Sequence, residues 1–447
     1  MEKIIIIGGG LAGSEAAYQI ATRGGGDVEV ELIEMKPAKF SPAHKLEGLA
    51  ELVCSNSLKS TSLENSSGLL KEEMRLLDSL IIRAAYETRV PAGGALAVDR
   101  ERFSKFITKA LKEIGVKVIG KEATELPVER PLIIATGPLT SDDFASAIAK
   151  LLGSEHLYFY DAVAPIVTAE SINMDRAFKG SRYGKSGDDY INCPMDKETY
   201  ERFVSELISA ETTGMREFEE AKYFEGCLPI EVMAARGPET LSFGPLKPVG
   251  LTDESAEGEE KERPYAVVQL RRENIEDTLY NLVGFQTRLK YGEQKRIFSM
   301  IPGLENAEFV RLGKIHRNSF IDSPRLLNEG LELKGKPGLF FAGQLTGVEG
   351  YLESAVSGLM AGINSFRALS GEEPLVPPET TITGALMRYV CGTDMEVEAF
   401  QPMNANFGLL PAIPKPKRGK IRKKERRALY TKRALEDMKL FIEKSKL

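Results

Sequence analysis

The sequence predicts an α/β fold: a parallel, doubly wound sheet, interrupted by an inserted α+β domain and followed by a basic helical C-terminal segment. Three observations lead there. A strand runs into a glycine-rich turn and a helix at the start of the chain. Two further strands, near residues 131 and 339, also end in glycine. A dense run of cations lies between Lys415 and Arg433.

Ile4-Ile5-Ile6-Ile7 is a β-branched run, the composition of a strand buried on both faces. Gly8, Gly9, Gly10, Leu11, Ala12 and Gly13 follow it, with Gly8, Gly10 and Gly13 in G-x-G-x-x-G spacing. The first glycine permits a tight turn, the second lets the backbone approach a pyrophosphate, and the third lets the helix pack against the strand. The helix N-terminus presents free N–H groups and partial positive charge to the phosphates. A second strand, Val28-Glu29-Val30-Glu31-Leu32-Ile33, ends at Glu34. That acid lies about 20 residues on, where a carboxylate takes a ribose hydroxyl. A dinucleotide site is therefore expected.

Leu132-Ile133-Ile134-Ala135-Thr136-Gly137 reads as a strand ending in glycine, and Leu339-Phe340-Phe341-Ala342-Gly343-Gln344 as another. The latter leads through Gly347, Gly350 and Tyr351 into a helix of small residues over 353–362. This pattern resembles the FAD-dependent oxidoreductases of the two-part Rossmann type. The resemblance implies FAD, a nucleotide domain that the chain leaves and re-enters, and a returning helix whose N-terminus faces the flavin. Gly137, Gly343, Gln344, Gly350 and Tyr351 are then on the cofactor side. That family usually carries Asp where Gln344 stands. An NAD site with an unrelated second α/β unit is the alternative. Residues 1–165 and 315–375 are expected to form the FAD-binding domain, 166–314 the insertion, and 376–447 the C-terminal helical segment.

At 447 residues and 42% hydrophobic content, the chain can bury two or three cores. Its apolar runs are too short to span a bilayer. A fingerprint beginning at residue 8 leaves no room for a signal peptide, so a cytoplasmic protein is expected. Cys54, Cys193, Cys227 and Cys391 have no C-x-x-C spacing, and His44, His156 and His316 are scattered. No metal site or disulfide framework is expected.

Between Lys415 and Arg433 stand eleven Lys or Arg and one acid, Glu425, on a chain of net charge −6. A basic tail on an acidic body points to a polyanion partner. Residues 422–441 lack Gly and Pro and read as a helix whose Leu429, Leu435, Met438, Leu440 and Phe441 form a docking face. An acidic stretch over 253–260 reads as a loop. Ser55, Asn56 and Ser57 are helix N-cap types, so Cys54 is expected near a helix N-terminus, where the dipole favours thiolate. Cys227 lies between Gly226 and Leu228-Pro229, in a loop. Free cysteines are more often small buried hydrophobes, and that reading holds for Cys193 and Cys391.

Five segments in order carry a second resemblance. They are 8–17, Leu52-Val53-Cys54-Ser55-Asn56-Ser57, 90–100, Gly226-Cys227-Leu228-Pro229-Ile230-Glu231, and Phe400-Gln401-Pro402-Met403-Asn404-Ala405-Asn406-Phe407-Gly408. Together they resemble the bacterial folate- and FAD-dependent tRNA (uracil-5-)-methyltransferases, the TrmFO family, over nearly the whole chain. The resemblance implies a one-carbon unit from methylenetetrahydrofolate, hydride from FAD, re-reduction by NADH or NADPH, and a methyl group on C5 of the T-loop uridine in the tRNA T-arm. No protein partner or membrane is implied. Cys54 and Cys227 take the positions of the family's two cysteines. Cys227 is assigned as nucleophile and Cys54 as base, and sequence leaves open which sulfur faces C6. Tyr351 is expected to stack a pterin or base, or to pack in the core. Two alternatives are a flavoprotein modifying the wobble uridine of tRNA and a plain FAD oxidoreductase acting on a small molecule.

Overall fold

A computed structural model describes residues 2–41, 43–153, 157–184, 189–213, 228–251, 264–272, 277–392, 400, 402–414 and 421–447. Its centre is a five-stranded sheet in the order Leu339–Phe341, Leu132–Ile134, Glu2–Ile7, Val28–Glu34, Lys117–Gly120. Every pairing in it is parallel. The four isoleucines of the first strand are at most 4% exposed, as a strand covered on both faces requires. Strand order reverses between Glu2–Ile7 and Leu132–Ile134, and such a switch point opens a crevice at the carboxyl ends of the strands.

The late strand and its helix belong to this sheet because two helices touch backbone to backbone. A Cβ on Gly358 would lie 2.1 Å from the carbonyl oxygen of Ala12, and one on Gly362 would lie 2.8 Å from Cα of Ala16. The helix Tyr351–Leu369 thus lies directly on the glycine helix Leu11–Gly24. Residues 346 positions apart are joined by the absence of two side chains.

A second sheet holds six strands in the order Phe178–Lys179, Tyr190–Met195, Ala266–Arg272, Leu279–Leu282, Ile166–Thr168, Phe309–Arg311. It is antiparallel throughout. Ile191, Cys193, Leu270 and Val268 point from one face into a separate core with Tyr200, Phe203, Phe285 and Phe298. Tyr190, Asn192, Gln269 and Arg271 alternate with them and lie on the opposite face. An antiparallel ribbon, Leu157–Val163 with Lys314–Phe320, carries the chain out to this sheet and back. The fold is α/β, a Rossmann-type sheet with an α+β insertion and a helical C-terminal segment.

The C-terminal helix, Lys423–Ser445, packs on the first core through Ala434 and Met438, both fully buried. Leu435 and Phe441 pack partly against that core. Leu429 (39% exposed) and Leu440 (51%) do not join it, contrary to the docking face read from sequence. Thr431 Oγ1 donates to the Leu63 carbonyl at 2.8 Å, and Phe407 stacks on Tyr430. The expected acidic loop at 253–260 and the basic stretch 415–420 lie outside the described residues.

One buried acid ties the C-terminal segment to the core. Glu73 caps the helix Ile382–Cys391, accepting from the N–H groups of Ile382 and Thr383 at 2.8 Å each and from Thr383 Oγ1 at 2.7 Å. Burial outweighs these bonds and pushes its carboxyl up from 4.5 to about 7. Between pH 4.5 and 7 the folded chain therefore keeps a proton that the unfolded chain releases, and stability falls as pH rises through that window. Glu73→Gln is expected to lower stability at every pH through the weakened cap, and to abolish this slope. Denaturant titrations from pH 5 to 8 should show the wild-type advantage over the variant shrinking by on the order of 2–3 kcal/mol. A constant difference would mean that Glu73 is ionised throughout.

Candidate active site

The glycine turn opens onto the switch-point crevice. Gly8 has φ +104°, and a Cβ there would lie 2.5 Å from the Ala135 carbonyl oxygen. A Cβ on Gly13 would lie 1.8 Å from the Gly8 carbonyl oxygen. At Gly10 there is no atom within 4 Å of a built Cβ. Two glycines are thus demanded by the fold, whereas the third keeps space clear in front of a helix N-terminus, as a pyrophosphate needs. The crevice is lined by Gly8, Gly10, Glu34, His44, Lys121, Thr136 and Thr140, among others. Glu34 is buried there, its Oε2 accepting from the Gly9 N–H at 2.6 Å and its Oε1 from the Lys36 N–H at 3.1 Å. The acid that the sequence aims at a ribose also braces the turn. His44, with Nδ1 2.6 Å from Ser41 Oγ, carries no motif that would single it out in sequence, whereas Thr136 stands beside Gly137 at its strand end.

On the other side of the sheet edge, Gly343 adopts φ +77° and its N–H donates to Ser357 Oγ at 2.7 Å. Gly137, φ +68°, ends its strand in the same left-handed region, with open space beside it. Gln344 turns its amide toward Glu349 Oε2, 3.4 Å away. Gly350, φ +117°, precedes the helix Tyr351–Leu369.

Cys54 is half-buried and sits in a bend that leads into the strand Ser57–Ser60, not into a helix. The cap-type residues after it are used elsewhere. Asn56, fully buried, donates from Nδ2 to the carbonyls of Val98 at 3.1 Å and Arg272 at 3.0 Å. The side chain that reaches the Cys54 backbone comes from 297 residues away. Tyr351, the first residue of its helix, accepts through its hydroxyl from the N–H groups of Cys54 at 2.8 Å and Ser55 at 3.0 Å. Burial pushes the Tyr351 phenol well above its ordinary range, so it stays neutral. Arg100 donates to the carbonyls of Leu52 and Cys54. The segments 52–57 and 90–100 are therefore neighbours, and the strand Ala95–Val98 pairs with Ser57–Ser60.

The insertion closes on this bend from the other side. Arg271 donates from Nη2 to Ser55 Oγ at 2.6 Å and from Nε to Asn56 Oδ1 at 3.1 Å. Beneath it, Lys59 Nζ lies 2.7 Å from Oε1 of the fully buried Glu353, which also accepts from the Ala405 N–H at 3.0 Å. Met403 and the loop at Gly347 and Glu349 exchange backbone hydrogen bonds of 2.9 and 2.8 Å. The motif at 400–408 thus supports the loop that starts the Tyr351 helix. Lys71 is buried nearby, donating to the carbonyls of Ser60 and Ser67, and burial lowers its ammonium from 10.5 to about 7.

Cys227 lies outside the described residues; the residues after it are ordered by the insertion core. Leu228 and Ile230 are buried, and Glu231 accepts from Thr287 Oγ1 at 2.8 Å and the Arg288 N–H at 2.9 Å. Cys193 and Cys391 are buried thiols pushed up to about 12 by desolvation, inert packing residues as the sequence reads them. Among the described residues no group of three His, Cys, Asp or Glu is placed to hold a metal, and no helix is long and apolar enough to cross a membrane.

With this geometry in place, comparison with known proteins is decisive. The chain is 58% identical to the methylenetetrahydrofolate–tRNA-(uracil-5-)-methyltransferase TrmFO of Geobacter sulfurreducens, over 97% of this chain and 98% of that protein. This chain belongs to the TrmFO family. The TrmFO of Lactobacillus johnsonii is 55% identical over the full length of both chains. The family profile described as Glucose inhibited division protein A matches residues 3–373 of this TrmFO family member. Among solved structures, Aquifex aeolicus GidA aligns with a TM-score of 0.68 at 15% identity, covering 98% of this chain and 73% of that one, which shows a shared fold. FAD is the cofactor of this flavoprotein fold, and the clear space at Gly10, the helix N-terminus behind it and the Glu34 carboxylate fit it.

Proposed function

We propose that this protein transfers a methylene group from methylenetetrahydrofolate to C5 of the T-loop uridine of tRNA and reduces it to a methyl. The observation that carries the reading is the seat of Cys54. It is a half-buried thiol in a bend fastened to the first residue of the helix that packs on the glycine helix and, through Arg271, to the insertion. Gly8, Gly9, Gly10, Leu11, Ala12 and Gly13 would hold the FAD pyrophosphate, and Glu34 the ribose. Gly137, Gly343, Gln344, Gly350 and Tyr351 would border the flavin, which when bound and reduced by NADH or NADPH supplies the hydride.

Uracil C5 is a weak nucleophile. Addition of the Cys227 thiolate to C6 moves the C5=C6 electron pair onto O4, and the resulting enolate attacks the methylene of the folate from C5. Cys54 removes the C5 proton as the folate nitrogen leaves, so that an exocyclic methylene forms. Hydride delivered to that methylene and departure of the Cys227 thiolate from C6 restore the aromatic base. Tyr351 acts on the protein side of this sequence by holding the Cys54 backbone through two N–H donors. Methylation assays with labelled methylenetetrahydrofolate and with labelled S-adenosylmethionine test the reading. Label should reach tRNA only from folate, and should also reach an isolated T-arm hairpin. Transfer from S-adenosylmethionine would overturn it.

The C-terminal helix gives a second test. Arg422, Lys424, Arg426 and Lys432 are exposed on it. Reversing all four to Glu is expected to weaken tRNA binding by tenfold or more and to flatten its salt dependence, since each phosphate contact contributes about 0.9 to the slope. Reduction of the flavin by NADH or NADPH should be unchanged. Equal affinity and slope would make the helix a solvated face only.

A further inference from the structure

Asn56 is fully buried, two residues after Cys54, and its side chain bonds to both parts of the molecule. Oδ1 accepts from Arg271 Nε at 3.1 Å, while Nδ2 donates to the carbonyls of Val98 at 3.1 Å and Arg272 at 3.0 Å. One orientation of the amide satisfies this set. A guanidinium offers no acceptor and a carbonyl no donor, so the amide oxygen must face Arg271 and the NH2 group the two carbonyls. Asp has the same shape but would turn a carboxylate oxygen toward both carbonyls. Leu would supply neither the donor nor the acceptor. The position calls for an amide of this length.

The partners of that amide stand on firm mounts. Arg271 and Arg272 end the strand Ala266–Arg272, which lies between Tyr190–Met195 and Leu279–Leu282 inside the insertion sheet. Val98 ends the strand Ala95–Val98, and its N–H donates to the Asn56 carbonyl at 3.0 Å. The bend is therefore gripped twice. Its main chain at Cys54 and Ser55 is held by Tyr351 and Arg100, from the part built on the parallel sheet. Its side chains at Ser55 and Asn56 are held by Arg271 and Arg272, from the insertion. Two neighbouring contacts between these parts are also polar. The Gly93 N–H donates to Asp189 Oδ2, and the Tyr190 hydroxyl donates to the Ala92 carbonyl at 3.3 Å. A polar contact of this kind permits relative motion, so specific bonds decide where the bend stands against the insertion.

From this geometry we infer that Asn56 is a positioning residue: its amide locks the Cys54 bend to the insertion sheet and so fixes where the Cys54 thiol meets the uracil ring. The inference rests on Cys54 acting as the base in the proposed reaction. A misplacement of about 1 Å in such a group costs on the order of 100-fold in rate. Binding of the tRNA, which is spread over many phosphates, does not depend on that placement.

The test follows the proton that Cys54 removes. With a T-arm hairpin carrying tritium at C5 of the target uridine, Asn56→Ala should release tritium about 100-fold more slowly than wild type in a single turnover. Its Kd for tRNA and its rate of flavin reduction should be kept. A 5-fluorouridine hairpin should still trap the variant as a covalent adduct, because addition at C6 precedes proton removal. In the free protein, iodoacetamide should alkylate Cys54 several-fold faster than in wild type, since the bend is no longer held from the insertion side. Peptide mass separates Cys54 from the other three cysteines. Arg271→Met breaks the same joint from the insertion and should reproduce both the slow tritium release and the faster alkylation. It also keeps the inference open to refutation if Asn56→Ala does not fold, which visible flavin absorbance reports. If wild type methylates tRNA from folate but a folded Asn56→Ala releases tritium at the wild-type rate, or its Cys54 is alkylated no faster, the positioning role is refuted and the substrate reading stands. Loss of the adduct in Asn56→Ala with its retention in Cys54→Ala would also refute it, since Asn56 would then act on more than Cys54. If wild type transfers no methylene from folate, the substrate reading fails and the positioning role falls with it.

Discussion

Gly10→Val is expected to yield a folded protein without its yellow chromophore. The structure separates this glycine from its neighbours in the motif. A Cβ at Gly10 meets no protein atom within 4 Å, so the valine is accommodated by the fold. The space it fills is the space in front of the helix N-terminus, where a pyrophosphate would sit. Gly13→Val is the contrasting variant. Its Cβ would lie 1.8 Å from the Gly8 carbonyl oxygen, and the helix must move off the strand, at a cost of about 1–3 kcal/mol or more. The expected readings are a near-normal melting temperature with no absorbance near 450 nm for Gly10→Val, and a lowered melting temperature for Gly13→Val. Full flavin occupancy in Gly10→Val would remove the glycine turn from the cofactor site.

Cys54→Ala and Cys227→Ala should each stop methyl transfer while leaving FAD bound and reducible, because in the proposed mechanism the thiols act on uracil and not on the flavin. The sizes should differ. Loss of a general base costs about 10²–10⁴-fold, and loss of a covalent nucleophile commonly more. A 5-fluorouridine T-arm hairpin separates the roles. Fluorine at C5 blocks the proton abstraction that releases the enzyme, so wild type should form a stable covalent adduct. Cys227→Ala should form none, and Cys54→Ala should retain it, since addition at C6 precedes the need for a base. The reverse pattern, read by gel shift or intact mass, would exchange the two assignments. Methylation at wild-type rate by both variants would return the cysteines to packing and leave the mechanism without a nucleophile.

Local signals told most about the cradle. The isoleucine run, the spacing of Gly8, Gly10 and Gly13, and the acid at Glu34 were legible because a βα turn is made of consecutive residues with fixed steric demands. The expectation of a helix after Cys54 failed for the complementary reason. Ser55 and Asn56 have cap-type side chains, but their partners are Arg271, Arg272 and Val98, and such distant partners leave no trace in a local pattern. His44, which joins the crevice from a loop, carries no local pattern for the same reason.

The sequence by itself determined the fold class, the glycine turn and the family, because periodicity, glycine spacing and five ordered motifs are properties of short contiguous segments. Only the tertiary structure decided how those segments meet. Gly358 and Gly362 lay one helix on another, which brings Tyr351 to the backbone of Cys54. Arg100 and the 95–98 strand carry one motif to the next, and Met403 props the loop that starts the Tyr351 helix. Contacts between residues so distant in sequence depend on the shape of the packed core, and side-chain hydrogen bonds follow that shape, not the order of the chain.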